Sequence, residues 1–201
     1  MRLRTMLAVA AALVIVFGSV SFWGLHSRGS MAFGQVLKNV LSVHTVQYKG
    51  TGTVEVPGLG TKTVTSETII VEPGRMRQTI SSADADAPPS MVMIWDYSQG
   101  RCLSLDPANK RAIMMEMSNL PAEQKSQSLL EQFRVLDDKA GTSIGEKEIA
   151  GRLTQGFKVG APPMEMVIWA DTQTRLPVEI ETTMKIGMLP PTTMIMTDFV
   201  W

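Results

Sequence analysis

The stretch "PMEMVIWADTQTRLPVEIETTMK", residues 163–185, alternates apolar with other side chains, turns after Asp171 and then alternates again. Successive side chains of a β-strand point to opposite faces, so the pattern predicts two antiparallel strands joined by a hairpin loop at residues 171–175. One face of this hairpin is expected to be dry and the other wet. The side chains predicted for the dry face are Met164, Met166, Ile168, Val178, Ile180, Thr182, Met184 and Ile186.

Similar alternation, rich in threonine and valine, recurs on both sides of this hairpin and suits a pleated surface. Proline and glycine pairs, such as Pro73-Gly74, separate the segments as turns, and Ala150-Gly151 predicts a tight hairpin. About ten strands are expected. Because they follow one another through short turns, they should pair antiparallel. An antiparallel sheet of that size tends to curl or close.

Two segments change from a period of two residues to the helical period. Residues 33–41 place five apolar side chains on one stripe, with Ser30 as the expected N-cap: Phe33, Val36, Leu37, Val40 and Leu41. Residues 120–139 predict a second helix whose buried stripe is Leu129, Leu130, Phe133 and Leu136. The predicted class is therefore α+β but mostly β: a strongly curved, unclosed antiparallel half-barrel with two helices over its concave face.

The N-terminus carries an uncharged apolar run at residues 6–25, preceded by Arg2 and Arg4. About 20 such residues cross a bilayer as a helix, and basic flanks stay in the cytoplasm. The sequence thus predicts an inner-membrane signal anchor within residues 1–28 and a single extracytoplasmic domain at residues 29–201. The alternative is a cleaved signal peptide, with an apolar core at residues 6–17 and cleavage near Ser19 and Ser21. Both interpretations export the domain.

Charge and cysteine content narrow the function. The chain has 19 basic and 19 acidic residues, and this balance argues against a nucleic-acid binder. Its one cysteine, Cys102, excludes an intrachain disulfide and is expected to be a small core residue.

Several segments taken together resemble the LolA/LolB/RseB superfamily of cell-envelope proteins. They are "IVEPGRMRQ", "MVMIWDYSQGRCLSLDPANKRA" and, most specifically, "MVIWADTQTRLPVEIE". The resemblance covers residues 32–201 and implies a curved, unclosed sheet with helices over a concave apolar face. It also implies a further segment after Trp201. Members of this superfamily hold the acyl chains of lipoproteins, and others regulate a membrane-bound anti-sigma factor. Every matching motif is structural, so the resemblance assigns no role to a residue.

Catalytic and metal chemistry find little support in the residues. "GTSIG", residues 141–145, matches a nucleophile motif, but a predicted helix precedes Ser143 and a strand follows, the reverse of a nucleophile elbow. No His/Cys/Asp cluster has the spacing of metal ligands. Methionine thioethers suit copper(I), yet the paired methionines lack histidine support. We therefore expect no enzyme activity, no metal and no cofactor.

The fifteen methionines are the remaining signal. They form either the packing of a plain core or an adaptable apolar cavity, because methionine is flexible and polarizable. If the dry face exceeds what two short helices cover, it leaves a cleft. The side chains expected to line it are Met91, Met93, Trp95, Met115, Met117, Met164, Met166, Met184 and Met188.

Two functions follow from these alternatives. An open cavity predicts a membrane-anchored periplasmic domain that binds a lipid, an acyl chain or an acylated protein or peptide, for lipoprotein sorting or sensing. A filled core predicts a structural or sigma-regulatory protein that acts through a membrane or periplasmic protein partner.

Overall fold

The computed structural model describes residues 31–56, 60–82, 91–117, 128–161, 164–185 and 192–201. The chain from Ala32 to Trp201 forms one compact unit. The predicted membrane segment at residues 6–25 lies outside the described residues. Within the described ranges, neither helix has the length and apolar character needed to cross a membrane.

The described part of the chain contains two helices and eleven strands. The helices are α1 (Phe33–Leu41) and α2 (Leu129–Arg134). The first six strands are β1 (Thr45–Val56), β2 (Gly60–Val71), β3 (Arg75–Ser82), β4 (Met91–Asp96), β5 (Arg101–Asp106) and β6 (Arg111–Glu116). The last five are β7 (Thr142–Ile149), β8 (Arg152–Ala161), β9 (Met164–Asp171), β10 (Pro177–Met184) and β11 (Thr192–Val200).

All eleven strands belong to one antiparallel sheet with the order β6-β5-β4-β3-β2-β1-β11-β10-β9-β8-β7. Each neighbour pair except β1–β11 is also consecutive in sequence, as expected for strands joined by short turns. The β1–β11 pair joins the two halves of the chain, with Gly50 opposite Met196 and Gly52 opposite Met194. Strands β6 and β7 are the two edges, so the sheet is not closed. This confirms the predicted mostly-β, unclosed antiparallel sheet with two helices.

One face of the sheet, here called the inner face, carries the core. Phe157 on this face contacts Phe33 of α1, with ring centroids 5.6 Å apart. The cross-strand register continues from Phe157 to Ile168 and from Ile168 to Ile180, all buried. The first half of the chain contributes a second buried row: Val46, Ile70, Met76, Trp95 and Cys102.

Helix α1 has four of the five residues of the predicted stripe buried: Phe33, Val36, Leu37 and Val40. The assignment of Leu41 was wrong, because this last residue of the helix is 41% exposed. The expected N-cap was wrong: Ala32 occupies this position, without a side-chain hydrogen bond, because the helix begins at Phe33. The segment between α2 and β7 passes close to α1 at Gly141, where a Cβ atom would lie 2.4 Å from Cγ of Phe33. Only glycine fits this close approach.

Helix α2 is shorter than predicted where the structure describes it. It begins after Ser128, whose hydroxyl accepts a hydrogen bond from the backbone N–H of Glu131 at 3.2 Å. This Ser-x-x-Glu arrangement is a strong start signal, so residues 129–134 alone form the described helix. Its Leu129, Leu130 and Phe133 are buried, and it packs beside α1. Arg134 forms an ion pair with Glu72 in the β2–β3 turn.

The hairpin between β9 and β10 has the predicted position and a specific internal structure. The buried carboxylate of Asp171 accepts hydrogen bonds from the backbone N–H groups of Gln173 at 2.7 Å and Thr174 at 3.3 Å. Asn39 of α1 donates to the Thr174 carbonyl at 2.9 Å, which ties the helix to the loop. The Trp-x-Asp-x-x-Thr-x-Leu-Pro motif is therefore explained by loop geometry.

The alternation did not predict an irregularity at the start of β10. The register shifts between Pro177 and Glu179, so Pro177 lies opposite Ala170, and Val178 falls in the irregularity. A bulge of this kind adds one residue to a strand and reverses the alternation beyond it. Ile180, Thr182 and Met184 regain the inner face, opposite Ile168, Met166 and Met164.

Candidate ligand-binding site

The inner face is wider than its fully buried part. Across β9, β10 and β11 the register places Met164 opposite Met184 and Thr182 opposite Met194. On the other side of β1, Val64 lies opposite Gly52, and Ile80 lies opposite Met91. These residues form a continuous surface that we call the open patch: Val64, Ile80, Met91, Met164, Thr182, Met184 and Met194.

The open patch is apolar and accessible. Met91, Met184 and Met194 are each 39% exposed, and the other members of the patch are half-buried. By contrast, Met166 and Met196, which share the inner face, are 5% and 6% exposed. The patch runs from β4 to β9, six strand spacings or roughly 29 Å along the sheet.

Two glycines of β1 leave the middle of the patch without side chains. A Cβ atom on Gly50 would lie 2.7 Å from Oγ of Ser66, and one on Gly52 would lie 3.8 Å from Cβ of Met194. Side chains of Ser66 and Met194 therefore lie close over this strand, both glycines are buried, and we call the strand the floor between the Met91 side and the Met194 side. The sequence signal for this floor is the pair of glycines two residues apart in "KGTGT".

The polar atoms of the patch are few. Oγ of Ser66 and Oγ1 of Thr182 are buried and have no hydrogen-bond partner in the described part of the protein. Buried hydroxyls are normally satisfied, so a ligand atom is one way to complete them. Ion pairs lie on the opposite, outer face, as with Lys147 and Glu179 at 2.9 Å and Lys158 and Glu165 at 2.8 Å.

The structure places the nine predicted lining residues in different parts of the protein. Met91, Met164 and Met184 lie in the open patch, and Met93 is half-buried on the same face. Trp95, Met117 and Met166 are buried in the core. Met115 lies on the inner face of edge strand β6, at a distance of several strands from Met184. Met188 lies outside the described residues.

Sequence reasoning missed Val64, Ile80 and Met194. The pattern placed "TTMIMTDFVW" in one further strand but did not show which strand it joins. The β1–β11 pairing brings Met194 opposite Gly52, 142 positions earlier in the chain. Alternation assigns faces within a strand, whereas neighbours across a sheet depend on the register.

The surroundings of the candidate nucleophile and of the candidate metal ligands agree with a structural role. Ser143 lies in β7, after α2, and its Oγ accepts a hydrogen bond from Nε2 of Gln155 at 2.8 Å. The helix therefore precedes this serine and the strand contains it, as predicted. Among the described residues, no group of three His, Cys, Asp or Glu side chains could hold a metal ion.

Cys102 is expected to react slowly with thiol reagents. Its side chain is 2% exposed, and burial raises the pKa of the thiol above its usual range. The thiolate is the reactive form, so its labelling by Ellman's reagent at pH 8 should be on the order of a hundredfold slower than in urea-unfolded protein. Stopped-flow absorbance measures both rates, and equal rates would show that Cys102 is accessible.

No protein-family model matches the chain, and no curated protein matches it. Several solved structures match the chain. A LolA superfamily protein from Nitrosomonas europaea is 7% identical, with a TM-score of 0.35, over 85% of this chain and 93% of that one. A putative outer membrane lipoprotein-sorting protein domain from Vibrio parahaemolyticus is 9% identical, with a TM-score of 0.33, over 83% and 91%.

A chain in the complex of MucA and MucB from Pseudomonas aeruginosa is 14% identical, with a TM-score of 0.42, over 85% of this chain and 57% of that one. At these identities and TM-scores, no ligand, partner or residue role transfers to this chain. The resemblance stated from the sequence is confirmed in that the chain is similar to solved LolA superfamily and lipoprotein-sorting-like structures.

Proposed function

We propose that this protein is a non-enzymatic periplasmic domain that holds an acyl chain, or the acyl chains of a lipidated protein, on the open patch. One observation carries the proposal: an apolar surface about 29 Å long lies half-exposed on the same face as a fully buried core. Exposed apolar patches of this kind mark binding sites for apolar ligands. Binding makes and breaks no covalent bond.

The energetics favour a ligand with a long chain. Each buried methylene contributes about 0.8 kcal/mol, so fourteen of them contribute about 11 kcal/mol. Association costs at least about 4 kcal/mol in lost translational and rotational freedom. At most about 7 kcal/mol therefore remains, which corresponds to a Kd of roughly 10 μM or weaker for one chain. A ligand with two or three chains would bind more tightly.

The unpartnered hydroxyls indicate a polar group on the ligand. Ser66 and Thr182 lie on either side of the glycine floor, within the apolar surface. An ester or carboxyl oxygen bound there would accept hydrogen bonds that the protein alone leaves unmade. Fatty acyl esters combine this polar group with a long apolar chain.

The proposed location is the periplasmic side of the inner membrane. The uncharged segment at residues 6–25 serves as the anchor in this proposal, with Arg2 and Arg4 on the cytoplasmic side. An anchored domain receives or senses acyl chains next to the bilayer that supplies them. Cleavage of the segment would instead release a periplasmic protein with the same binding surface.

Native mass spectrometry of residues 29–201, exported and purified without detergent, tests the binding. We expect co-purified lipid or acyl chains, or uptake of added fatty acid or lipopeptide. Met184→Asp and Met194→Asp should each weaken the binding at least about tenfold, because each places a charge in the apolar patch. Both side chains are partly exposed, so both variants should stay folded.

Met114→Asp is the matched control, since Met114 is 60% exposed on the outer face of β6. It should leave ligand binding unchanged. A protein that remains free of ligand when both fatty acid and lipopeptide are offered would contradict the proposal.

A second function, action through a protein partner, has one observation in its favour. Every residue of edge strand β6 is exposed, including Ile113, Met114 and Met115. Exposed edge strands accept an added strand from a partner. The regulatory function would be favoured by a ligand-free protein, and the acyl-binding function by a ligand-bound one.

A further inference from the structure

We infer that the exposed methionines of the open patch are oxidation sites, and that their conversion to methionine sulfoxide by a hydroperoxide turns off acyl binding. The inference rests on the proposed function. It adds that acyl binding would respond to a peroxide, through the methionines that line the binding surface.

The accessibility of the sulfur atoms decides which methionines react. Oxidation follows exposure, and Met91, Met184 and Met194 are the accessible methionines of the patch. Met76, Met166 and Met196 lie on the same face but are at most 7% exposed. The peroxide therefore reaches these three patch methionines before the buried ones, although Met114 and Met115 outside the patch, at 60% and 42%, are more exposed still.

The chemistry is a two-electron oxygen transfer. The thioether sulfur attacks one oxygen atom of hydrogen peroxide, and the O–O bond breaks. The hydrogen on the transferred oxygen moves to the other oxygen. Sulfur is oxidised to the sulfoxide, the peroxide is reduced, and its second oxygen leaves as water. The product carries a strongly polar S–O group in place of an apolar atom, and sulfoxide reductases reverse the change.

The register places the reacting side chains where the change matters. Met184 lies opposite Met164, and Met194 lies opposite Thr182 and opposite Gly52 of the floor. Met91 occupies the other side of the floor, opposite Ile80. Oxidation of all three places polar groups at both sides of the surface that an acyl chain would cover, while the buried core keeps the sheet folded.

The full chain in nanodiscs provides the test, with a diazirine-labelled palmitic acid as the probe. Peptide mapping by mass spectrometry locates both the crosslinks and the sulfoxides after graded hydrogen peroxide. We expect sulfoxide at residues 91, 184 and 194 before residues 76, 166 and 196. Crosslinking to β10 and β11 should fall about tenfold or more and return after treatment with methionine sulfoxide reductases.

Leucine variants separate the patch from general damage. The triple variant Met91→Leu, Met184→Leu and Met194→Leu removes the three exposed sulfur atoms of the patch and leaves half-buried Met164 in place. Whatever crosslinking this variant shows before peroxide should therefore survive peroxide. Met114→Leu removes an exposed methionine from the outer face and should give no protection.

Each outcome supports or overturns a defined claim. Unchanged crosslinking after oxidation of the three patch methionines overturns this inference alone. Equal loss in the triple leucine variant also overturns it, because the sensitive group would lie elsewhere. Absence of crosslinking to the patch before any peroxide overturns the proposed function and this inference with it.

Discussion

Phe133→Ala is expected to lower the free energy of unfolding by about 3–5 kcal/mol, the usual cost of removing a large aromatic side chain from a packed core. Phe133 is 0% exposed and belongs to the buried stripe of α2, which packs beside α1. A six-residue helix has little stability of its own, so its position depends on this buried stripe. Urea denaturation followed by circular dichroism measures the change.

Val135→Ala is the control for this prediction. Val135 follows the same helix but is 75% exposed, so its truncation should change the free energy of unfolding by no more than about 0.5 kcal/mol. Similar effects for the two variants would show that α2 does not depend on its buried face. The prediction on helix packing would then be wrong.

Asp171→Ala should lower the free energy of unfolding by about 2–4 kcal/mol, because hydrogen bonds to a charged group contribute about 1.5–3 kcal/mol each. The carboxylate is 7% exposed and accepts hydrogen bonds from two backbone N–H groups of the β9–β10 loop. Its removal leaves the N–H groups of Gln173 and Thr174 without this acceptor. The contact between the loop and Asn39 of α1 should weaken as well.

Asp171→Asn keeps an oxygen acceptor of the same shape. It should therefore cost less than about half of the alanine variant, since neutral hydrogen bonds contribute about 1 kcal/mol. Chemical denaturation of both variants, with amide hydrogen exchange of residues 173 and 174, provides the measurement. If Asp171→Asn and Asp171→Ala lower the free energy of unfolding equally, then the side chain of Asp171 does not stabilise the loop as an acceptor for its backbone N–H groups.

The two proposals about function depend on one surface but on different properties of it. Acyl binding requires that the open patch be apolar and accessible, and the Met184→Asp and Met194→Asp variants test that requirement. Peroxide sensitivity requires in addition that the accessible atoms be sulfur, which the leucine variants test. A leucine-lined patch would stay apolar and would lack the response.

Residue patterns within single helices and strands made much of the fold predictable. The alternation in residues 163–185 predicted the β9–β10 hairpin, and the 3.6-residue stripe predicted α1, because both patterns follow from the geometry of a single element. The register shift beside Val178 was not predicted, because a bulge depends on how two strands fit together. The start of α2 was misplaced because the Ser128 capping signal competed with a longer apolar pattern.

The candidate site was only partly predictable for a related reason. Alternation correctly put Met164 and Met166 on the same face, two residues apart. It gave no information on depth, yet one is half-buried and the other is 5% exposed. Depth depends on which part of the sheet the helices cover, and that is a contact between distant segments.

By itself, the sequence determined the mostly-β class, the antiparallel hairpins and the faces of most strands, since each follows from neighbouring residues. Only the tertiary structure decided that β1 pairs with β11 and that the inner face divides into a buried core and an open patch. It also placed Met194 beside Gly52. These features arise from pairings across more than a hundred residues, where a strand chooses its neighbour by packing and register rather than by its own periodicity.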